Sequence, residues 1–436
     1  MVKVKKFTPI LYWAIILALL GLYFTNDFGL VDIHKTSYIV AVGVDMAEDE
    51  VQVTAQLAVP QPSTSGDNTK YLQVQGSGYT IADALNEINA KVGSYPKLLF
   101  CKLILLGDSC KDADLFEMLG CFYRRNFSEL TALVAMCEGK AQEMIAKPAT
   151  IDPENSTAIQ KVLSDELEKS ANVSKANLKS IAESNYSVSG YSYMPYIQMN
   201  VQGTSKPGGG GDNAGGDKPE SGGSSGGGES GGLAGSSGGG EQGGSSGGGS
   251  GGGEQGGSSG GGSGDKPVEF TARQTAIFRE GKFAGILDER QAFALNVLEN
   301  DINLAVIPCY LKEEETHFTM GLQGVNGGLD FKVDKGVPKL TVKFKATAQV
   351  QGAKKIMVPE NVIYDDVVSP KLLKATEDAI KERFENLIQT SIETDCDVLG
   401  VKKLLHKYHY KYYDAFKNDI LKRMEVEYKI DVKSLN

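Results

Sequence analysis

Histidine and tryptophan are scarce in this chain, and no cluster of metal ligands is visible in it. The sequence contains four histidines, one tryptophan and six cysteines among 436 residues, and no two cysteines form a C-x-x-C pair. His406 and His409 lie three residues apart, but zinc needs a third and usually a fourth ligand. Neither His34 nor His317 lies in a pattern that supplies one. We therefore expect surface or packing histidines, and we predict no bound metal and no cofactor.

Catalytic motifs are also missing. No P-loop and no nucleophile–base pair is visible, so the sequence predicts a protein that is not an enzyme, with an extracytoplasmic hydrolase as the least favoured alternative. Asp365 and Asp366 precede a predicted helix and are interpreted as favouring its start. Glutamates 313–315 are interpreted as a solvated turn. Residues 124–126 (Arg-Arg-Asn) could bind an anion, although cations are also favoured at a helix C-terminus.

Basic charge is not in excess, since the formal net charge is −10. An acidic chain lacks the electrostatic footprint of a nucleic-acid-binding protein, so we expect no nucleic-acid partner. The cysteines are scattered, and a chain of this length does not need a dense disulfide framework. We predict that most are buried or free thiols, with one bridge, Cys110–Cys121, left open.

An uncharged run near the N-terminus predicts a membrane anchor and an extracytoplasmic location for the folded part of the chain. Lys3, Lys5 and Lys6 precede residues 7–24, which contain no charged residue. Eighteen helical residues span roughly 27 Å, close to the hydrocarbon thickness of a bilayer. The lysines keep this end in the cytoplasm, so the body should lie outside. The predicted anchor side chains are Phe7, Ile10, Leu11, Trp13, Ile15, Ile16, Leu17, Leu19, Leu20, Leu22 and Phe24.

A cleaved signal peptide is the alternative for the same run. Residues 18–21 (ALLG) make a poor cleavage site, and the apolar run is longer than that of a usual signal peptide. No cysteine follows the run to carry a lipid. The sequence therefore favours an uncleaved single-pass helix, with residues 1–30 forming the cytoplasmic tip and the anchor.

Glycine is concentrated in one stretch, with 32 of the 52 glycines between positions 203 and 264. The thirteen residues SGGGEQGGSSGGG occur at 237–249 and again at 250–262. Such a composition lacks the apolar groups needed for a core, so we predict a disordered linker over 203–267 with a span of roughly 45 Å. This divides the folded part into 31–202 and 268–436, and we expect the second region to split near 360.

Both regions show strands mixed with helices, so the fold class is α+β, with mixed sheets and packed helices. Hairpins are predicted at 37–45 with 51–59 and at 270–279 with 282–287, and a further strand at 71–75. Strands are also predicted at 98–107, 130–137, 303–307, 317–322, 329–333, 340–350 and 425–432. Helices are predicted at 80–91, 112–123, 140–147, 157–169, 174–184, 289–298 and from Ser369-Pro370 onward.

Several segments together resemble the Ger(x)C family, the C subunits of bacterial spore germinant receptors. Residues 38–45 and 51–60 resemble its "v.alGiD" and "v.vt.qi..P" strands. Residues 82–107 and 123–145 are similar to its "aDAl" to "iiiGe" stretch and its "yRn.e" pattern. The most specific match is 275–287 (TAIFREGKFAGIL) to "aiFk.gk.vG.L", and 397–401 (DVLGV) resembles "DvlGfg". The likeness covers nearly the whole chain outside 203–267.

The resemblance implies a non-catalytic receptor subunit on the outer face of the inner spore membrane. It implies two partners, a transporter-like membrane subunit and a second membrane subunit, and a fold of three α+β domains. The chain departs from the family in lacking the lipobox cysteine and the C-terminal tryptophans, since Trp13 is its one tryptophan. The alternative from the residues alone is an extracytoplasmic binding module for a solute or a cell-wall polymer.

Overall fold

The computed structural model describes residues 8–25, 36–60, 69–93, 95–124, 129–147, 155–163, 171, 173–201, 268–299, 302–353 and 368–435. The strands are β1 (Thr36–Ala47), β2 (Glu50–Pro60), β3 (Thr69–Gly78), β4 (Tyr95–Lys97), β5 (Leu103–Leu106), β6 (Leu133–Cys137), β7 (Tyr191–Val201), β8 (Val268–Arg279), β9 (Lys282–Leu287), β10 (Leu304–Leu311), β11 (Thr316–Asp334), β12 (Val337–Ala353) and β13 (Glu425–Ser434). The helices are α1 (Thr8–Thr25), α2 (Ile81–Val92), α3 (Leu115–Arg124), α4 (Ala141–Ala146), α5 (Asn155–Val162), α6 (Leu178–Asn185), α7 (Glu289–Glu299), α8 (Pro370–Glu393), α9 (Val401–Tyr408), α10 (Tyr413–Phe416) and α11 (Ile420–Arg423).

The first sheet has the strand order β3-β2-β1-β5-β6-β7-β8-β9, with β4 beside β1. Its centre is parallel, because β1, β5, β6 and β7 run in one direction, and both ends are closed by antiparallel hairpins. All four residues of β5 are buried. Leu103 and Leu105 belong to the core that includes α4 and α5, whereas Ile104 and Leu106 belong to the core of α2, α3 and α6. Helices on both faces explain why this strand is apolar throughout.

The strands on either side of residues 202–267 pair with each other. β7 and β8 are antiparallel neighbours, and their register runs from Tyr191 opposite Arg279 to Val201 opposite Val268. The predicted linker therefore connects two adjacent strands of one sheet. Contacts accordingly place Met1–Gln202 and Lys266–Asn436 in one unit. The domain boundary predicted at 203–267 therefore separates two strands that pair in one sheet. The domain boundary predicted near residue 360 lies outside the described residues.

The second sheet has the order β10-β11-β12-β13, antiparallel except for the parallel pair β12–β13. One face of β12 is buried as its alternating pattern predicts, through Leu340, Val342 and Phe344. α8 covers this face, and the rings of Phe344 and Phe384 meet edge to face at 6.2 Å. Ser369 caps α8, since its hydroxyl accepts a hydrogen bond from the Leu372 amide at 3.4 Å. This confirms the start predicted from Ser369-Pro370.

The predicted α+β class with mixed sheets and packed helices is confirmed, and some predicted elements are wrong. The strand predicted at 98–107 is limited to β5, because Leu98–Phe100 forms a turn of 3-10 helix. The two strands predicted at 317–322 and 329–333 are one strand, β11, with an irregularity between Gln323 and Asn326. The helix predicted from 174 begins at Leu178, where Asn177 forms a capping box with Ser180.

A helix occupies the predicted anchor, since α1 extends from Thr8 to Thr25. Within the part of the chain that the structure describes, no helix combines the length and the apolarity needed to cross a membrane. Trp13, Ile15, Leu17, Leu19 and Leu20 are exposed, and Ile16 is half-buried. Phe7 and the side chains of Ile10, Leu11, Leu22 and Phe24 lie outside the described residues. The anchor stays a prediction.

Candidate functional site beside Asp397

Asp397 is a buried carboxylate that holds the start of α9. Its two carboxylate oxygens accept hydrogen bonds from the amides of Val401 and Lys402, both at 2.8 Å. Gly400 precedes the helix with φ of 64°, a conformation that glycine adopts without strain. The segment 397–401 therefore folds into a loop that turns the helix N-terminus onto its own aspartate. The first amides of a helix otherwise lack partners, so this arrangement satisfies two of them.

Burial raises the pKa of Asp397 from 3.8 to about 6, although both backbone hydrogen bonds and Lys402 act to lower it. The folded protein therefore binds more protons at Asp397 than the unfolded chain does between pH 4 and 6. Stability decreases as the pH rises wherever the folded state binds more protons than the unfolded state. Ionisation of Asp397 therefore lowers the free energy of unfolding as the pH rises from 4 to 6. Above pH 6 this contribution is constant.

A cleft of about 450 Å³ opens beside this loop, between α6 and β7 on one side and α7 and α9 on the other. Its polar lining includes hydroxyls and both signs of charge. The residues that supply them are Ser180, Glu183, Ser184, Ser187, Tyr191, Ser192, Tyr193, Glu299, Lys403, Lys407 and Tyr408. The cleft thus combines aromatic surface with hydrogen-bonding groups, which is the usual make-up of a small-molecule site.

One wall of the cleft carries a tyrosine–glutamate pair. The hydroxyl of Tyr191 donates to Glu299 Oε1 at 2.6 Å, and its ring stacks on Tyr193 with a centroid distance of 6.4 Å. Glu299 is exposed as a residue, but the protein around its carboxylate raises its pKa by desolvation, against the opposing effects of Tyr191 and Lys403. Desolvation also raises the pKa of Tyr191 well above its ordinary value. Both residues line the cleft, and their hydrogen bond joins β7 to α7.

Ser192 is a buried serine beside the cleft. It is 4% exposed, and within the described residues its hydroxyl has no hydrogen-bond partner. An unpaired buried hydroxyl costs about 1–3 kcal/mol, so such groups are usually satisfied by protein, water or a ligand. Ser192 is one of the residues that line the cleft, and its hydroxyl oxygen is itself buried.

The other aspartate of the family-like segments has the same structural role as Asp397. Asp45 ends the "GVD" segment of β1, and its oxygens accept from the amides of Ala141 and Gln142, both at 2.9 Å. Burial raises its pKa, and these two hydrogen bonds oppose that shift. A methyl group added at Gly107 would lie 1.9 Å from Asp45 Oδ1, so glycine is needed there. Both aspartates are therefore used to hold the N-terminus of a short helix.

Neither His406 nor His409 is among the residues that line this cleft. His406 packs edge-on against Tyr410 and Tyr413, and His409 against Phe331, so these histidines are packing residues. Among the described residues no group of three or more His, Cys, Asp or Glu could hold a metal ion. Asp365, Asp366, Arg125 and Asn126 lie outside the described residues.

The six cysteines are free thiols, so the bridge left open between Cys110 and Cys121 is not formed. Cys110 is fully buried and its thiol donates to the carbonyl oxygen of Val44 at 3.3 Å. Burial raises the pKa of Cys101, Cys110 and Cys396 to about 12. These thiols pack as small apolar groups, as predicted.

Sequence reasoning did not find the cleft, because its residues come from five elements and their loops between positions 180 and 408. β7 was not predicted either, although its start alternates tyrosine with serine and methionine over 191–194, a pattern typical of a strand.

Comparison with known proteins gives two family matches that cover most of the chain. The family described as spore germination protein N-terminal domain matches residues 30–199, and the family described as spore germination B3/GerAC like, C-terminal, matches residues 273–435. No match was found among curated proteins. A solved structure titled "Crystal Structure of the GerBC protein" is 13% identical, with a TM-score of 0.46, over 91% of this chain and 97% of that one. The two family matches fall on both sides of 203–267 in the expected order, and the chain belongs to the Ger(x)C family of spore germination proteins.

Proposed function

We propose that this chain is the non-catalytic, membrane-anchored C subunit of a nutrient germinant receptor. The observation that carries the proposal is that both halves of the chain match spore germination families, in the order that those families have in one protein. The subunit would act by assembly and signalling with a transporter-like membrane subunit and a second membrane subunit. It would reside at the inner membrane of the spore, with its folded body on the extracytoplasmic side.

The uncharged run over residues 7–24, which follows three lysines, supports the anchor. Within this run Leu17 is 73% exposed and Trp13 65%. Exposed apolar surface of this kind is costly in water and favours contact with lipid or with another membrane helix. Extraction of membranes with alkaline carbonate tests the anchor. The full-length chain should stay in the pellet, and release into the supernatant would contradict a single-pass helix.

The use of the acidic residues supports a non-catalytic role. Asp45 and Asp397 belong to the segments that resemble the family, and each spends both of its oxygens on backbone amides. Both carboxylates are also buried, with Asp397 1% and Asp45 4% exposed, so a substrate has little access to them as a general acid or base. We therefore expect Asp397→Asn to change stability and assembly more than any chemical activity.

Deletion in a sporulating host tests the whole proposal. Spores that lack the gene should form normally but fail to germinate with the nutrient, and germinate normally with a receptor-independent agent. Complementation with the full-length gene should restore the response. A chain lacking residues 1–30 behind a cleavable signal peptide is the matched control, and it should not restore it. Unchanged nutrient germination in the deletion strain would refute the proposal.

A second function is favoured by the cleft beside Asp397, whose lining includes stacked tyrosines and the lysines Lys403 and Lys407. There the chain would act as an extracytoplasmic module that binds a solute or a cell-wall polymer. The test is the thermal transition of the full-length chain with soluble cell-wall fragments. A rise in Tm that Lys403→Met abolishes would support this function, and no rise in the unmodified chain would contradict it.

A further inference from the structure

β10 is an edge strand without a charged residue. It pairs with β11 on one side, and no other strand within the described residues pairs with it. Its sequence, LAVIPCYL, leaves Leu304, Val306 and Tyr310 between 42% and 48% exposed. β13, at the other edge of this sheet, carries three acids and two lysines in ten residues. Charges normally protect an edge strand from pairing with another chain, so β10 is the unprotected edge of this sheet.

Alternate residues of β10 direct their backbone amide and carbonyl groups away from β11, toward the free edge of the sheet. The side chain of Arg383 donates to the carbonyl oxygen of Pro308 at 3.2 Å, so this carbonyl points away from β11. Proline has no amide hydrogen, which suits a position that does not bond to the neighbouring strand. In an antiparallel pair the residues two positions away direct their backbone groups the same way. Val306 and Tyr310 therefore present both an amide and a carbonyl at the free edge.

A groove of about 880 Å³ lies between α8 and the second half of β10, from Pro308 to Leu311. Its α8 wall includes Ala375 and Ala379, whose small side chains leave room for an approaching backbone. The charges that line the groove are mostly paired. The ion pairs are Arg290–Glu382 at 3.7 Å, Lys371–Glu313 at 3.1 Å, Lys374–Asp378 at 3.2 Å and Lys381–Glu385 at 3.3 Å.

Among the charged residues that line the groove, Arg383 is the buried one. It is 5% exposed, and its guanidinium donates to two backbone carbonyls, those of Ala379 at 2.8 Å and Pro308. It also lies over the ring of Phe293 at 5.5 Å. Among the described residues no carboxylate forms an ion pair with it within 4.0 Å, although a guanidinium has five donors. Glu382 and Glu289 act on it only at longer range, and Arg290 opposes them. A buried cation without a direct ion-pair partner is costly, and an incoming carboxylate would offset part of that cost.

We propose that β10 and this groove form a docking site for an extended segment of a partner protein that carries a carboxylate. The segment adds as a strand beside β10 and pairs with the backbone of Val306 and Tyr310. Its acidic side chain faces α8 and forms an ion pair with Arg383. Its apolar side chains, on the other face, cover Leu304, Val306 and Tyr310. This inference concerns a different surface from the cleft beside Asp397 and does not depend on the role in germination.

The test is selection from a phage-displayed library of random nine-residue peptides on the immobilised full-length chain. We expect enrichment of peptides in which apolar residues alternate and one Asp or Glu lies near the centre. The selected peptide is then labelled, and its affinity is measured by fluorescence anisotropy. Replacing its acid by the amide should weaken binding at least tenfold for the unmodified chain. In Arg383→Met this preference for the acid should disappear, and in Arg383→Lys it should persist.

Two edge variants complete the design. Val306→Pro removes only an outward amide and should weaken binding at least tenfold, because the backbone pairing is lost. Leu72 is an equally exposed apolar residue on the edge strand β3 of the other sheet, 46% exposed, so Leu72→Lys is the matched control and should leave affinity unchanged. Retained circular dichroism and Tm show that each variant is folded.

Three outcomes would overturn the proposal. The first is that no peptide is enriched, and the second is that enriched peptides lack an acid or bind Val306→Pro equally well. The third is that the chain dimerises in sedimentation velocity and Val306→Pro abolishes the dimer, with no competition by peptide. In that case the occupant of the edge is a second copy of the chain.

Discussion

Replacing the 66 residues between Val201 and Val268 by a ten-residue Gly/Ser loop should stabilise the protein. These two residues are directly opposite each other in the β7–β8 pair, so a short loop can join them without moving either strand. For a flexible loop the entropic cost of closure grows as (3/2)RT ln n, so the shorter loop lowers it by about 1.7 kcal/mol. The surface that is buried in the sheet is unchanged, and so the m-value should be unchanged too.

The measurement is urea unfolding of the full-length chain, followed by circular dichroism. The matched control is a chain with the same segment duplicated, which should lose about 0.6 kcal/mol for one doubling of length. Fluorescence of Trp13, the one tryptophan, would not report on the unfolding of the sheets, because this residue lies in α1. A fall in the free energy of unfolding after shortening would refute the reasoning. It would mean that residues 202–267 stabilise the fold through contacts rather than acting as a simple connection.

Three further predictions use paired variants or counts. Gly327→Ala should destabilise the protein by about 1–3 kcal/mol in urea unfolding, because its new methyl would lie 2.5 Å from the carbonyl oxygen of Val297. The control is Gly328→Ala, where the new methyl would meet nothing within 4 Å, and its free energy of unfolding should change by no more than about 0.5 kcal/mol. Between pH 4 and 6, stability should fall more for the unmodified chain than for Asp397→Asn, by up to about 3 kcal/mol for a pKa raised to about 6, and parallel pH curves would contradict this. Under unfolding conditions without reductant, all six thiols should react with Ellman's reagent, and four reactive thiols would show that a bridge exists.

The parts of the fold that local chemistry determines could be predicted from the sequence. The alternation in β12 gave the buried face, and Ser369-Pro370 gave the start of α8, because a cap and a fixed proline φ act within a few residues. β11 was predicted as two strands because its glycines at 321, 324, 327 and 328 are typical of breaks. In the sheet, Gly324 takes a left-handed conformation inside an irregularity, and pairing with β12 resumes beyond it.

The candidate site could not be predicted in the same way. Asp397 bonds to amides four and five residues ahead, so its role is local, but no rule assigns a capping role to an aspartate followed by Val-Leu-Gly. Asp45 bonds to amides 96 and 97 residues away in α4, and the parallel order β1-β5-β6, with α4 following β6, brings them together. Arg383 matters because it is buried without an ion-pair partner in the part of the chain that the structure describes. The pattern of an amphipathic helix does not reveal which charged residues of other elements lie beside it.

The pairing of β7 with β8 has a consequence for how this chain can vary among its relatives. Because the thirteen-residue unit SGGGEQGGSSGGG lies between two strands that already meet, unequal recombination can add or remove copies in steps of thirteen residues. Each step changes neither the register of the sheet nor any residue of the clefts described above. Length variation at this position is therefore close to neutral for folding, and natural variants of the chain should differ here by whole repeat units.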